Sequence, residues 1–476
     1  MKIGNIRIAT TDDLHKMYDA ALGILATVGM RVTHETVLSR LEAYGARVSR
    51  TDCIVRFPTK VVEKAVEAIR KAMGRRDLPS ERPFDDAFHA SLGDGCFFLH
   101  DFEKNTRRKA TREDFIATVR FADALPEVSS FAAPVEIGRL PIETMVIEMQ
   151  ALCYLNSAKP SGVENNIPEQ VKYLAELRKI LRDYRPNIGA DCNAQGVTSP
   201  LTFGDRAAEL YIEGGKYDFN SGVYTMAIAG ANAPATIEGC ATQAAAEILG
   251  AWTCLMATDE NRRVGSLILT GTIDMRTGKA CWASPGAIRQ NCLATTMFNE
   301  VLGVPMGLDW TWYTDAVVPG YQCALDRVMK MLAMAPQKCS TAFHLGDLDG
   351  ASLFSLEQCI LDLDVCRGVF ELYRPAKMTD TRMAVPEIER IGAQHGKSHM
   401  ETDFTLEHFR ETLWMPTVIP HAYWKEGLTG VSETDVLQHA HSRVQDILAR
   451  HEPYQAPAPM SKAIQKVLEK ASAELL

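Results

Sequence analysis

From about residue 95 the chain alternates short β-rich runs with amphipathic helical stretches, and this rhythm limits the fold more than any other feature. The runs that read as strands are "GCFFLHD", "VSSFAAPVE", "KPSGVEN", "NIGADCN", "DFNSGVYTMAI", "RVGSLILTG", "GVPMGLDWTW" and "CSTAFHLG". Helical patterns such as "REDFIATVRFADAL", "PEQVKYLAELRKILRD" and "IEGCATQAAAEILGAWTCLMA" separate them. After the last run comes the helix "LFSLEQCILDLDVCRGVFEL", and no ninth run of the same kind follows. Eight strands, each followed by a helix, predict an α/β protein built on a closed (β/α)8 TIM barrel rather than an open doubly wound sheet. No G-x-G-x-x-G follows the first strand and no G-x-x-x-x-G-K-[ST] occurs, so both common nucleotide fingerprints are missing.

Before the barrel, the segment "TTDDLHKMYDAALGILATVG" has a Thr cap, acids in its first turn and Gly29 at its end. "THETVLSRLEAYGA" and "FPTKVVEKAVEAIRKAM" continue the helical pattern. Residues 1–75 are therefore predicted as an N-terminal helical region, residues 90–375 as the barrel, and residues 376–476 as a C-terminal helical extension that completes and covers it. "GRRDLPSERPFDD" reads as a polar linker between the first two.

Composition narrows the function classes. The formal net charge is -9, so general nucleic-acid binding is not expected, and the short basic clusters "RKILRDYR" and "MGRRDLPSER" read as solvated helix faces. No run of about 18 apolar residues predicts a membrane span. The N-terminus lacks the apolar core of a signal peptide. The chain has 12 cysteines, none in a C-x-x-C pair, and many in apolar runs, as expected of reduced thiols in a cytoplasmic protein.

Barrels keep their chemistry at the carboxyl ends of the strands. Those ends offer Phe98, His100 and Asp101; Glu136; Glu164, Asn165 and Asn166; Asp191 and Asn193; Tyr224, Thr225 and Met226; Thr272 and Asp274; Trp310, Trp312, Tyr313 and Asp315; and Phe343, His344 and Asp347. No H-x-H or H-E-x-x-H spacing occurs at these strand ends, so no metal site is predicted there. No G-x-S-x-G supports a serine hydrolase. Glu136 and Glu164 are candidates for the paired carboxylates of a glycoside hydrolase. The stretch "DWTWYTD" sets two indoles and a phenol between carboxylates. Such a set suits either strand packing or an electron-rich pocket for a cation.

Several longer segments resemble the trimethylamine methyltransferase family, in particular its members without pyrrolysine that use quaternary amines such as glycine betaine. They are "ILATVGMRV", "LEAYGARV", "ATREDFIATVRFADALPEV", "GANAPATIEGCATQAAAEILG", "GTIDMRTGKACWASPGAIRQ", "TDAVVPGYQCALD" and "METDFTLEHFRETLWMPTVIPHAYWKEG". The matches span roughly residues 10 to 450. The resemblance implies a (β/α)8 barrel and methyl transfer from a methylated amine to the cobalt of a separate corrinoid protein. No position is written as pyrrolysine, which points from trimethylamine toward quaternary amines. The chain also lacks D-x-H-x-x-G, the pattern expected of a corrinoid-binding domain, so the cobalamin is expected on a partner protein rather than on this chain.

A trialkylammonium has no N–H donor, so aromatic faces are its natural partners. Trp310, Trp312 and Tyr313 are the expected cage, with Phe98, Phe343 and Phe354 as further walls. His344 is the expected catalytic polar residue, orienting the substrate or contacting the corrinoid. Asn193, Arg276 or backbone N–H groups are candidates for holding a betaine carboxylate. The expected function is a quaternary amine:corrinoid methyltransferase acting on glycine betaine, proline betaine, carnitine or a relative, in a homo-oligomer. A barrel glycosidase or lyase and a non-catalytic betaine-binding protein remain alternatives at this point.

Overall fold

The computed structural model describes residues 8–73, 88–93, 95–186, 192–304, 306–308, 313–334, 343–373, 376–394, 397–419 and 431–476, with the backbone alone at 73, 192, 193, 307, 308 and 334. Eight short strands, each followed by a helix, come in the order expected of a (β/α)8 barrel and pair in parallel within three separate groups. They are β1 (Ala90–Leu92), β2 (Phe131–Ala132), β3 (Ser161–Gly162), β4 (Cys192–Val197), β5 (Asn220–Thr225), β6 (Val264–Ile268), β7 (Gly307–Leu308) and β8 (Phe343–Leu345). In register, β8 pairs with β1, β2 with β3, and β4, β5, β6 and β7 pair in sequence. A parallel bridge from Ala90 to Val128 ties β1 to the start of β2. Among the described residues no hydrogen-bonded ladder joins β3 to β4 or β7 to β8, so the expected closed ring is not seen there.

Three helices precede the strands: α1 (Thr11–Thr27), α2 (Glu35–Tyr44) and α3 (Thr59–Met73). Each strand of the ring is then followed by a helix: α4 (Arg112–Ala124), α5 (Ile142–Asn156), α6 (Val171–Tyr184), α7 (Asp205–Gly215), α8 (Ile237–Thr258), α9 (Pro285–Glu300), α10 (Tyr321–Met334) and α11 (Leu356–Tyr373). The starts obey capping chemistry. Thr10 and Asp13 form a capping box on α1, Thr111 and Asp114 do so on α4, and Ser284 caps α9 ahead of Pro285. Helix α8 is buried along nearly all of its length, because α1, α2 and α3 cover its outer face. The N-terminal region thereby shares one core with this side of the ring. It is not purely helical: strands Met30–Val32, Arg47–Ser49 and Ile54–Arg56 join Thr202–Phe203 in a small sheet.

The first strand is a correction. "GCFFLHD" was expected to open the ring, but β1 lies just before it. Phe98–Asp101 instead forms a hairpin with Thr106–Arg108, turning at Asn105 with φ 46°, and pairs on its other edge with Leu353–Phe354. Phe98–Asp101, with its backbone groups satisfied by a hairpin and a side strand, is not available to the ring, while Cys96 ahead of it bridges in parallel to Val135.

The C-terminal extension docks through carboxylates. Buried Asp364 accepts the backbone N–H groups of Thr417, Val418 and Ile419 at 2.7–3.1 Å. Helices Glu433–Arg450 and Ala458–Leu475 then pack against α11 and α4, and against α5 and α6.

A buried ion pair ties α10 and α11 to the end of β8. Arg327 on α10 and Asp362 on α11 are both fully buried, 2.8 Å apart. The guanidinium also donates to the carbonyls of His344 and Asp347, and Asp362 accepts from Gly346 N and Gln358 Nε2. Burial pushes the Asp362 carboxyl up, while the Arg327 charge and these donors hold it down. Removing one member strands the other charge, at a cost of about 3–5 kcal/mol. Asp362→Ala is therefore expected to lower the urea-unfolding free energy by about that amount. A loss below about 1 kcal/mol would show that the pair does not hold α10, α11 and β8 together.

Candidate functional site

The interior of a (β/α)8 ring is normally filled by layers of large branched side chains. Here one layer is nearly empty. Register places Ala194 of β4, Gly222 of β5 and Gly265 of β6 abreast, and Ala132 of β2 beside Gly162 of β3. All five line a cavity of about 340 Å³. Two residues further along each strand, the next layer is Gly196, Tyr224 and Leu267. The hollow thus opens toward the carboxyl ends of the strands, where its walls include Val163, Glu164, Tyr224, Leu267, Leu269 and Tyr313. Apolar lining with a few convergent polar groups is the usual character of a small-molecule site.

Each wall residue has a local reason for its position. The Tyr224 ring lies across β4 because residue 196 is glycine: a Cβ there would sit 3.1 Å from the ring and hydroxyl. The Tyr224 hydroxyl donates to Glu164 Oε1 at 3.3 Å. The next residue, Thr225, donates its hydroxyl to the fully buried carboxylate of Glu247, which also accepts from Ser199 Oγ, Leu201 N and Gln243 Nε2 at 2.8–3.0 Å. Glu136, at the end of the segment after β2, is half-buried. Burial raises its carboxyl pKa above the ordinary value, the charge of Glu164 raises it further, and Lys109 opposes both.

Tyr313 has φ 39°, in the left-handed region that non-glycine residues seldom occupy. Local strain of this kind persists only where surrounding structure enforces it. Fully buried Lys330 of α10 donates to the Tyr313 carbonyl at 3.1 Å, Gly350 N donates to the Thr314 carbonyl at 2.8 Å, and Asp326 accepts from Asp315 N at 2.9 Å. Asp315 in turn receives the N–H groups of Trp282 and Ala283 at 2.6 and 3.1 Å. This clamp sets the Trp282 ring 5.2 Å from that of Tyr313, tilted by 49°. A Cβ at Gly350 would lie 2.7 Å from the indole Nε1, so that position must stay bare.

Of the residues expected from the sequence, Tyr313 lines the cavity. Trp310 and Trp312 lie outside the described residues. Asn193 lies on β4 opposite Ser221, known by its backbone alone. His344 lies on β8 opposite Ser91 and is not among the cavity's lining residues. Burial, Arg327 and Lys330 push its imidazole down to about 4, so it is neutral at physiological pH. Phe343 is buried in stacking contact with Phe88, 5.1 Å between centroids, and Phe88 meets Phe370 of α11. Phe343 therefore faces the helix layer, because neighbouring residues of a strand point to opposite sides. Phe354 is fully buried, and Gly346 makes room for its ring. Phe98 is in the side sheet, with the Lys109 ammonium 4.7 Å and the Arg107 guanidinium 5.0 Å from its ring. None of these three rings is among the cavity's lining residues; Tyr224 is, and Trp282 lies against the lining ring of Tyr313. Trp282 was not singled out from the sequence. It follows a short hairpin, Gly271–Ile273 with Ala280–Cys281, that gives no periodic signal. Arg276 pairs with its neighbour Asp274 at 2.8 Å on the surface.

Among the described residues no group of three or more His, Cys, Asp or Glu is arranged to hold a metal ion, and no helix is long and apolar enough to cross a membrane. The close fit at residue 196 yields a test. Gly196→Ala should displace the Tyr224 ring and weaken binding of a small cation at least fivefold by calorimetry, with an unchanged thermal melt. Unaltered affinity in a folded variant would remove Tyr224 from the site.

The profile of the trimethylamine methyltransferase (MTTB) family matches residues 1–475. The trimethylamine methyltransferase MttB of Desulfitobacterium hafniense is 22% identical, over 97% of this chain and 93% of the relative. That of Methanosarcina barkeri is 22% identical over 98% and 95%. A glycine betaine methyltransferase from Desulfitobacterium hafniense is 21% identical over 94% and 93%. Among solved structures, the monomethylamine methyltransferase of Methanosarcina barkeri aligns with a TM-score of 0.47 and 14% identity over 91% of this chain and 93% of that one. With the family profile spanning the chain from end to end, this protein belongs to the trimethylamine methyltransferase family.

Proposed function

We propose that the chain moves an N-methyl group from a quaternary amine to the cobalt of a corrinoid carried by a partner protein. The observation that carries this reading is the hollow at the strands' carboxyl ends, apolar at its floor and walled by Tyr224, Tyr313 and Glu164. A quaternary nitrogen offers no N–H and keeps its charge at every pH. Its affinity must come from ring faces and from a carboxylate placed nearby. Each ring is worth about 0.5–2 kcal/mol, depending on desolvation.

The bond accounting is simple. The N–CH3 bond breaks, its electron pair stays on nitrogen, and a neutral tertiary amine leaves. The methyl carbon is taken by the electron pair of the Co(I) acceptor, which becomes a methyl-Co(III) product. No proton has to move, which suits walls that lack a dedicated acid at the hollow's floor. The chain's own residues hold the nitrogen, aim one methyl outward and exclude water. In this reading Trp310, Trp312 and Asn193 stay the sequence-based candidates for contact with the amine. His344, kept neutral, orients the bound amine from the β8 side or meets the incoming corrinoid.

The test is to incubate the chain with Co(I) cobalamin and tetramethylammonium, choline or glycine betaine, following methyl-Co(III) by absorbance. At least one donor should give methyl-cobalamin, and Tyr224→Ala should slow it about tenfold or more, the equivalent of about 1.4 kcal/mol. Absence of transfer from all three donors would contradict the reading.

A further inference from the structure

The charges around the hollow say more about its occupant, an inference that rests on the function proposed above. Glu164 is the acidic side chain among the lining residues, and the Tyr224 hydroxyl that reaches it keeps its carboxylate beside the ring. A second carboxylate lies close by. β2 and β3 run abreast, with Ala132 beside Gly162, so the segments that follow bring Glu136 and Glu164 out at the same end. Burial raises the Glu136 carboxyl, Lys109 opposes the rise, and the charge of Glu164 adds to it.

The nearby cations have other partners, and the Lys109 charge also bears on Glu136. Lys109 is exposed, with its ammonium 4.7 Å from the Phe98 ring and 5.7 Å from that of Phe97. Arg327 is committed to Asp362 and to the carbonyls of His344 and Asp347. Lys330 donates to the Tyr313 carbonyl. An onium ion entering this wall meets negative charge and ring faces. A betaine brings its own carboxylate one carbon from the nitrogen, directly into the field of Glu164 and Glu136, where like charges repel.

We propose that the preferred methyl donor is a quaternary amine that carries no carboxylate, a tetramethylammonium-like or choline-like cation, and that Glu164 sets this preference. Glu164 is a specificity residue: it touches the ligand's charge and takes no part in the bond changes.

Calorimetric titration of the full chain with tetramethylammonium, choline and glycine betaine at pH 7 and low salt tests this. Both carboxylate-free cations should bind about tenfold or more tightly than glycine betaine. Glu164→Gln should cut that ratio to below about threefold, by weakening the cations and strengthening the betaine. Glu164 is exposed, so the variant should melt at the wild-type temperature. A second measurement needs no variant: added salt should weaken choline binding to the wild type more than it weakens betaine binding. Equal or tighter binding of glycine betaine by the wild type, an unchanged ratio in Glu164→Gln, or equal salt dependence would overturn the preference. Those results would leave methyl transfer from a quaternary amine standing. If none of the three ligands bound, the preference and the function proposed above would fall together.

Discussion

Everything proposed for this chain depends on side-chain volume that is missing. Three neighbouring strands place Ala194, Gly222 and Gly265 in one interior row, and two more strands add Ala132 and Gly162. Leucine or isoleucine in that row would make a solid core of the kind these rings usually have. Small residues leave room for a ligand, and Tyr224 and Leu267 of the next row form walls of that room. The layer gives up packing energy that a filled interior would supply. Burial elsewhere must offset it, and α8, sheathed by the N-terminal helices, supplies part of that burial.

A hollow binds selectively only if its walls keep their shape. On one side Glu247 gathers a loop and the end of β5 behind Tyr224. On the other, α10 sends Asp326 and Lys330 to the backbone at and after Tyr313, and Arg327 to β8. These buried charges are expensive to desolvate, and each is matched by a carbonyl, an N–H or an opposite charge. The left-handed turn at Tyr313 is held by that network rather than by its own preference. Asp315 carries the constraint one residue further, to the hairpin that presents Trp282.

Much of the architecture was legible because periodicity and capping residues reflect backbone physics directly. "DFNSGVYTMAI" and "RVGSLILTG" hold β5 and β6 where expected, and the Thr10 and Asp13 cap stands where its pattern placed it. β1 was missed since Ala90–Leu92 is only three residues long, while the hairpin after it has the richer β composition. The site was harder to see. Strands of a ring are buried on both faces, so Phe343 and His344 look alike as candidates, and only packing against Phe88 and Phe370 shows which way the phenylalanine points. The decisive glycines, Gly196, Gly222 and Gly265, read as turn or flexibility signals in one dimension. Their meaning comes from alignment across three strands, which no local window contains. Tyr224 and Glu164 were visible at strand ends, but nothing in the sequence said that they touch.

The account stands on a quaternary nitrogen seated between Tyr224 and Tyr313. A crystal grown with tetramethylarsonium, a somewhat larger tetrahedral cation of the same charge whose arsenic scatters anomalously, tests this most directly. The account predicts one arsenic peak inside the hollow, within about 6 Å of both ring centroids and on the side of Glu164. A peak elsewhere on the molecule, or an empty hollow at saturating ligand, would contradict it.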